Sequence, residues 1–202
     1  MSLPRLFVIS PGTLSRSEAS TFAATTDGLG ERPLALVLRE PGLLDADYFG
    51  LAQALRERSR GMTLLLHDRP HLVEATRANG VHLGGRSLPP ERAREQVRGW
   101  LGFSAHAEDD EREWESSDYL FFSPVRDTRK GGRTIPGIGF EALAAAVSRT
   151  ERPVIALGGM RAEHVDRVTE TGAHGLAVLS GVWSDPRGPL AAIDDYLEEF
   201  AT

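Results

Sequence analysis

The 202-residue chain contains no cysteine. Disulfides, thiolate metal ligands and cysteine nucleophiles are excluded together, while the compartment is left open. There is no run of 18 apolar residues either, so no membrane-spanning helix is expected. Positive charge is in short supply: 23 Lys and Arg stand against 29 Asp and Glu, a net charge of −6, which disfavours a nucleic-acid partner. The N-terminal residues enter an apolar run at once, without the charged region and long apolar core of a signal peptide, so the expected location is cytoplasmic. No linker, composition break or low-complexity segment divides the sequence, and a single domain spanning 1–202, long enough to bury a substantial core, is expected.

What the chain does have is short apolar runs, eight of them, at 6–9, 34–38, 62–66, 80–83, 101–103, 119–122, 154–157 and 176–179. They are continuous rather than alternating, as in strands buried on both faces. Helical spacing fills most of the gaps. Residues 45–56 put Tyr48, Leu51, Ala52 and Leu55 on one stripe, with Asp45 or Asp47 as the cap, and 141–147, 162–171 and 190–200 read the same way. Eight strand–helix units in about 200 residues predict an α/β fold, a (β/α)8 TIM barrel at the small end of its size range. An open doubly wound sheet also alternates strand and helix, but the count of eight favours the barrel. The one long loop is the Gly- and Arg-rich stretch 126–139.

The seventh run, VIALGGM at 154–160, breaks into two glycines, and the eighth ends in LSGVW at 179–183. In a barrel of this class, phosphate often binds in the loops after strands seven and eight. Its oxygens accept from free backbone amides at a helix start, and glycine lets the backbone come close. Gly158, Gly159 and Ser180 are therefore read as a phosphate cup; the bland alternative is a tight turn. Other strand ends collect polar residues too: Arg39 in LREPG, His67 and Asp68 in HDRP, His82 in GVHLGGRS, Ser104 and His106 in GFSAH, and Thr128 and Lys130 in SPVRDTRKGGR. That clustering marks the C-terminal mouth as the site. The loop cations Arg126, Arg129, Lys130 and Arg133 are expected to form a mobile, anion-gripping segment.

In order and spacing, NGVHLGGRSLPP, LGFSAHAEDD, SDYLFFSPVRDTRKGG and RPVIALGGMRAEHVDRVTETGAHGLAVLSGVW resemble the conserved segments of the thiamine phosphate synthase/TenI family of barrels, over nearly the whole chain. The resemblance implies a phosphorylated heterocycle, a thiazole phosphate, as ligand. It places Arg39, Ser104, Thr128 and Lys130 at a pyrophosphate, Asp68 on a metal, and Gly158, Gly159 and Ser180 around the thiazole phosphate. In the synthase, a thiazole nitrogen attacks a pyrimidine carbon as pyrophosphate departs, with Mg2+ stabilising the leaving group. No cofactor is required by the residues themselves, and Mg2+ enters only with this resemblance. The sequence admits a homodimer.

The departures from the family pattern are specific. Val37 and Pro41 replace the Gln and Lys of the strand-two motif, His67 stands for an Asn, and Ser87 stands for the second metal-binding Asp. One carboxylate of two is left. These losses turn the expectation toward a divergent TenI-like enzyme of the thiazole tautomerase class, which needs a phosphate cup and one positioned acid/base. A histidine suits that role. The position of that branch's own histidine, after strand six, holds Pro124. His67 is then the first candidate, with its pKa raised by Asp68, followed by His82 and His106. The alternatives are a synthase with a reduced ligand set and a non-catalytic binding protein. His71, His164 and His174 are given no role.

Overall fold

The computed structural model describes residues 2–27, 34–59, 61–106, 109 and 114–201, except for the Lys130 side chain. The first six apolar runs form β1 (Leu6–Ile9), β2 (Leu34–Leu38), β3 (Thr63–His67), β4 (Gly80–Leu83), β5 (Trp100–Ala105) and β6 (Tyr119–Phe122). A short hairpin of β7 (Thr128–Lys130) and β8 (Arg133–Ile135) follows, and the last two runs form β9 (Val154–Leu157) and β10 (Gly175–Val178). The eight long-range strands close into one parallel barrel in the order β1-β10-β9-β6-β5-β4-β3-β2. Around it lie α1 (Arg16–Asp27), α2 (Asp45–Arg58), α3 (Val73–Thr76), α4 (Pro90–Arg94), α5 (Gly139–Ser148), α6 (Val165–Glu170), α7 (Ser180–Trp183) and α8 (Pro189–Glu199). No helix is found between β5 and β6 among the described residues.

Alternate residues of each strand serve two cores, which is why the runs are apolar without a break. Phe7, Ile9, Ala35, Val37, Leu65, Tyr119, Phe121, Ile155 and Ala177 fill the barrel interior. Leu6, Val8, Leu36, Leu64 and Leu66 face outward and meet Tyr48, Leu51 and Leu55 of α2, among others. Each fully buried Leu or Phe contributes roughly 1.5–3 kcal/mol. β3 and β5 run past their apolar stretches, because His67 and Ser104 keep the extended backbone while bringing polar groups to the mouth.

Two expectations are corrected. The stretch 126–139 is not an irregular loop: β7 and β8 pair antiparallel within it, with Thr128 opposite Ile135. Gly131 and Gly132 turn the hairpin at φ of 58° and 77°, the left-handed pair a two-residue turn needs. Asp45 and Asp47 do not cap α2; the cap position is Leu44, and Asp45 instead accepts from Arg69 and pairs with His71, both at 2.9 Å.

Candidate active site

Tyr48, fully buried on α2, ties two strand ends together. Its hydroxyl donates to the Leu38 carbonyl and accepts from the His67 amide at 3.1 Å. The Arg69 guanidinium lies 4.2 Å from the centre of its ring and donates to Asp45 and to the Leu43 carbonyl. Arg39 follows β2, its amide donating to the buried Ser10 hydroxyl at 2.7 Å, and the residue is half-buried at the mouth. Beside it Glu40, only 2% exposed, accepts from the amides of Gly12 and Leu14, each at 3.1 Å. That carboxylate fixes the loop after β1 and, with it, one wall of the mouth.

His67 and His82 are register partners on β3 and β4, with ring centres 6.2 Å apart. His82 is 2% exposed and packs against Phe121, ring centres 3.9 Å apart with planes tilted by 32°. Its Nδ1 lies 3.2 Å from Tyr119 Oη and its Nε2 2.9 Å from Ser104 Oγ. Burial holds its pKa well below the usual value. The expected rise at His67 is reversed: burial and then the Arg39 charge push it down to about 4, and Asp68 offsets this only in part. Asp68 is solvent-exposed, where water weakens its field. Both histidines are neutral near pH 7.

Asp68 adopts a left-handed backbone, φ 60°, its amide donating to the His82 carbonyl at 3.0 Å. Its carboxylate does not hold Arg69, which belongs to Asp45. No three His, Asp or Glu side chains converge as a metal cage among the described residues. Ser87, at the place of the missing carboxylate, uses its hydroxyl to accept from the Gly84 amide at 2.8 Å. The donor set therefore matches a hard cation only where phosphate oxygens complete it, with Asp68 as the protein carboxylate.

Across the barrel order from β3 and β4 lie β9 and β10 with the glycine-bearing loops. Gly158 and Gly159 have φ of 100° and 63°, and the chain from Pro124 to Asp127 packs directly on them. A Cβ on Gly158 would fall 2.8 Å from Pro124 Cα, and one on Gly159 2.5 Å from the Asp127 carbonyl oxygen. The Val125 and Arg126 amides donate to the carbonyls of Leu157 and Gly158 at 2.9 and 3.0 Å. The Gly-Gly pair is thus required by the loop that crosses it. Ser180 is exposed at the first turn of α7, where a helix has no carbonyl of its own to offer its leading amides. Both loops are braced from behind: the Trp183 indole donates to the Ile9 carbonyl at 2.7 Å, and Tyr196 of α8 donates to the Met160 carbonyl at 3.1 Å.

Thr128 is half-buried on β7; Lys130 shares that strand, but its side chain lies outside the described residues. Arg126, Arg129 and Arg133 are exposed nearby, and Asp127 braces the loop by accepting from the Gly137 amide at 2.8 Å. His106 is exposed, its Nδ1 3.0 Å from the Ser123 carbonyl oxygen, to which it donates. His71, His164 and His174 each have a structural partner: Asp45, the Arg161 amide and the Leu3 carbonyl. The sequence reading missed Tyr48, Glu40 and Tyr119. Nothing in the string marks an apolar-stripe Tyr or a rim Glu as a buried brace.

The class the fold defines is the parallel (β/α)8 barrel, here with an arginine, a lone carboxylate, a histidine pair and a glycine-bearing loop at its C-terminal mouth. The model of the thiamine monophosphate synthase family matches residues 6–182. A thiamine-phosphate synthase of Syntrophomonas wolfei is 35% identical over 151 residues, 72% of either chain. A putative thiamine-phosphate synthase 2 of Aquifex aeolicus is 31% identical over 186 residues, 89% of this chain and 98% of its own length. The solved structure of a thiamine phosphate pyrophosphorylase from Pyrococcus furiosus superposes with a TM-score of 0.79 at 24% identity, over 98% of this chain and 95% of the other. The chain belongs to the thiamine monophosphate synthase/TenI family.

Proposed function

We propose that the protein carries out thiamine-phosphate-synthase-type chemistry, coupling a pyrimidine pyrophosphate to a thiazole phosphate. The relatives' names support the synthase over the tautomerase that the motif departures favoured. So does the observation that carries this reading, the state of the histidine pair. A tautomerase wants an acid/base poised near pH 7. His67 is held at about 4, His82 lower than usual and sealed from solvent, His106 spends its Nδ1 on the Ser123 carbonyl, and Pro124 stands where the tautomerase branch keeps its own histidine. The synthase asks for no such group. The thiazole nitrogen supplies its own electron pair to the pyrimidine methylene carbon as the bond to pyrophosphate breaks.

The protein's part is then to position two anions and to stabilise charge on the one that leaves. Backbone amides around Gly158, Gly159 and Ser180 receive the thiazole phosphate. Arg39, Ser104 and Thr128 are the groups for the pyrophosphate, and the family resemblance adds Lys130 to them. Asp68 would be the protein carboxylate for a Mg2+ bound with the pyrophosphate, and that ion would supply positive charge to the leaving group. Incubation with both substrates and Mg2+, monitored for thiamine phosphate, tests the reading, with a thiazole-carboxylate tautomerisation assay alongside. Tautomer turnover without coupling would reverse the assignment, and ligand binding without either reaction would favour a non-catalytic role.

A further inference from the structure

Inside the barrel, Tyr119, His82 and Ser104 form a three-residue hydrogen-bond chain that runs from the sealed interior to the mouth. Tyr119 is 0% exposed, and His82 Nδ1 is the one hydrogen-bond partner of its hydroxyl among the described residues. Its ring occupies the space beside Gly102, where a Cβ would fall 2.1 Å from Tyr119 Cζ, so no other residue at 102 would let the hydroxyl reach His82. Phe7 and Phe121 cover the ring, at centre distances of 5.1 and 5.6 Å, and offer no acceptor. Ser104 is half-buried, with His82 as its side-chain partner.

Proton bookkeeping along this chain has two solutions. In the first, Tyr119 donates to Nδ1, the imidazole proton sits on Nε2 and donates to Ser104 Oγ, and the serine hydroxyl hydrogen is free to point into the mouth. In the second, Nδ1–H donates to Tyr119, Ser104 donates to Nε2, and the mouth sees a serine lone pair. The second strands the hydroxyl hydrogen of a fully buried tyrosine with no acceptor, and such a group is expensive to leave unmade. A neutral imidazole must choose one tautomer, and a charged ring, donating from both nitrogens, would strand the tyrosine hydrogen in the same way.

We propose that Tyr119 and His82 are positioning residues that lock Ser104 as a hydrogen-bond donor facing the ligand, so that the mouth at β5 recognises an anionic oxygen and disfavours a donor group. The relay depends on the proposed function only for the identity of that oxygen, a phosphate or pyrophosphate oxygen. It explains why a histidine with no accessible proton is buried under the site: its task is to set a direction.

Two measurements on the full-length chain test it. Long-range 1H–15N NMR at pH 7 should find the His82 proton on Nε2; a proton on Nδ1, or a charged ring, overturns the proposal. Calorimetry with inorganic pyrophosphate as probe should show Ser104→Ala weakening binding about tenfold or more, as for a lost bond to a charged acceptor. Tyr119→Phe, which keeps the ring and removes only the hydroxyl, should weaken binding by roughly three- to tenfold in the native background and leave it unchanged in the Ser104→Ala background. Equal losses in both backgrounds would mean a general structural effect and overturn the relay. If pyrophosphate does not bind the natural protein, the synthase reading fails, and the NMR experiment alone decides the relay.

Discussion

Substituting Gly159 by Ala isolates what the glycine pair is for. At φ 63° an L-residue pays a left-handed penalty of about 1–2 kcal/mol. The added Cβ also falls 2.5 Å from the Asp127 carbonyl oxygen and 2.8 Å from Arg126 Cβ, both on the crossing loop. Backbone on one side cannot swing away as a flexible side chain would, so about 1–3 kcal/mol of overpacking adds to the strain. The sum, about 2–5 kcal/mol, is a large part of the roughly 5–15 kcal/mol that stabilises a domain. For a chain of this size it lowers Tm by roughly 4–20 °C. Gly132→Ala is the matched control: φ is 77°, but nothing lies within 4 Å of its Cβ, so it bears the strain alone. Urea melts of the two variants should differ by about 1–3 kcal/mol, the steric part alone. Equal stabilities would refute the reasoning and return the glycines to a simple turn. For the same reason Gly159→Val is not a clean probe of phosphate binding: it displaces the loop before any ligand arrives.

Other outcomes follow from single contacts. His67 titrates at about 4 in the folded chain and near 6.5 unfolded. Between those values only the unfolded chain takes up the proton, so this group's contribution is present above about pH 6.5 and is lost as pH falls toward 4. The stability lead of the natural protein over His67→Asn should therefore shrink by about 1–3 kcal/mol between pH 7.5 and 4.5; a constant difference in denaturant melts would contradict the low pKa. Glu40→Gln leaves one oxygen for the two amides of Gly12 and Leu14 and should lower stability by about 1.5–3 kcal/mol in the same melts, with no loss meaning that the loop is held elsewhere. Ser87→Asp restores a second carboxylate beside the mouth and should tighten Mg2+ binding in the presence of pyrophosphate, read by calorimetry. Unchanged affinity would remove Ser87 from the account of the metal.

The barrel was legible because each strand is buried on both faces. Runs such as 34–38 and 119–122 became β2 and β6 with unchanged limits, since a continuous apolar run has nowhere to go but between two cores. The limits moved where the mouth begins. Thr63–His67 and Trp100–Ala105 extend beyond their apolar parts, because a strand end facing ligand carries polar residues that hydrophobicity does not detect. The hairpin at 128–135 was hidden for a related reason: its described side chains are exposed or half-buried, so they show no buried face to impose an alternating pattern, and only Gly131-Gly132 hinted at a turn.

The site was legible by position and illegible by protonation. Strand order places Arg39, His67, Asp68, Ser104, Gly158 and Ser180 at one end of the barrel, and a reader of the string can list them. The charge state of His67 depends on distances the string does not contain. A neighbouring Asp in sequence suggested a raised pKa, yet Asp68 is exposed and the Arg39 charge, 28 positions away in sequence, outweighs it together with burial. This inversion moves the functional reading. A histidine held neutral by burial and by an arginine charge fits a mouth organised around positive charge and anions, whereas one made basic by a carboxylate would have signalled proton transfer. The same logic makes the loss of the second carboxylate at Ser87 coherent: Arg39, at the end of β2 beside β3, keeps a protein cation next to the place where the family pattern puts metal ligands, while Arg126, Arg129 and Arg133 follow β6 on the loop that crosses the glycine pair.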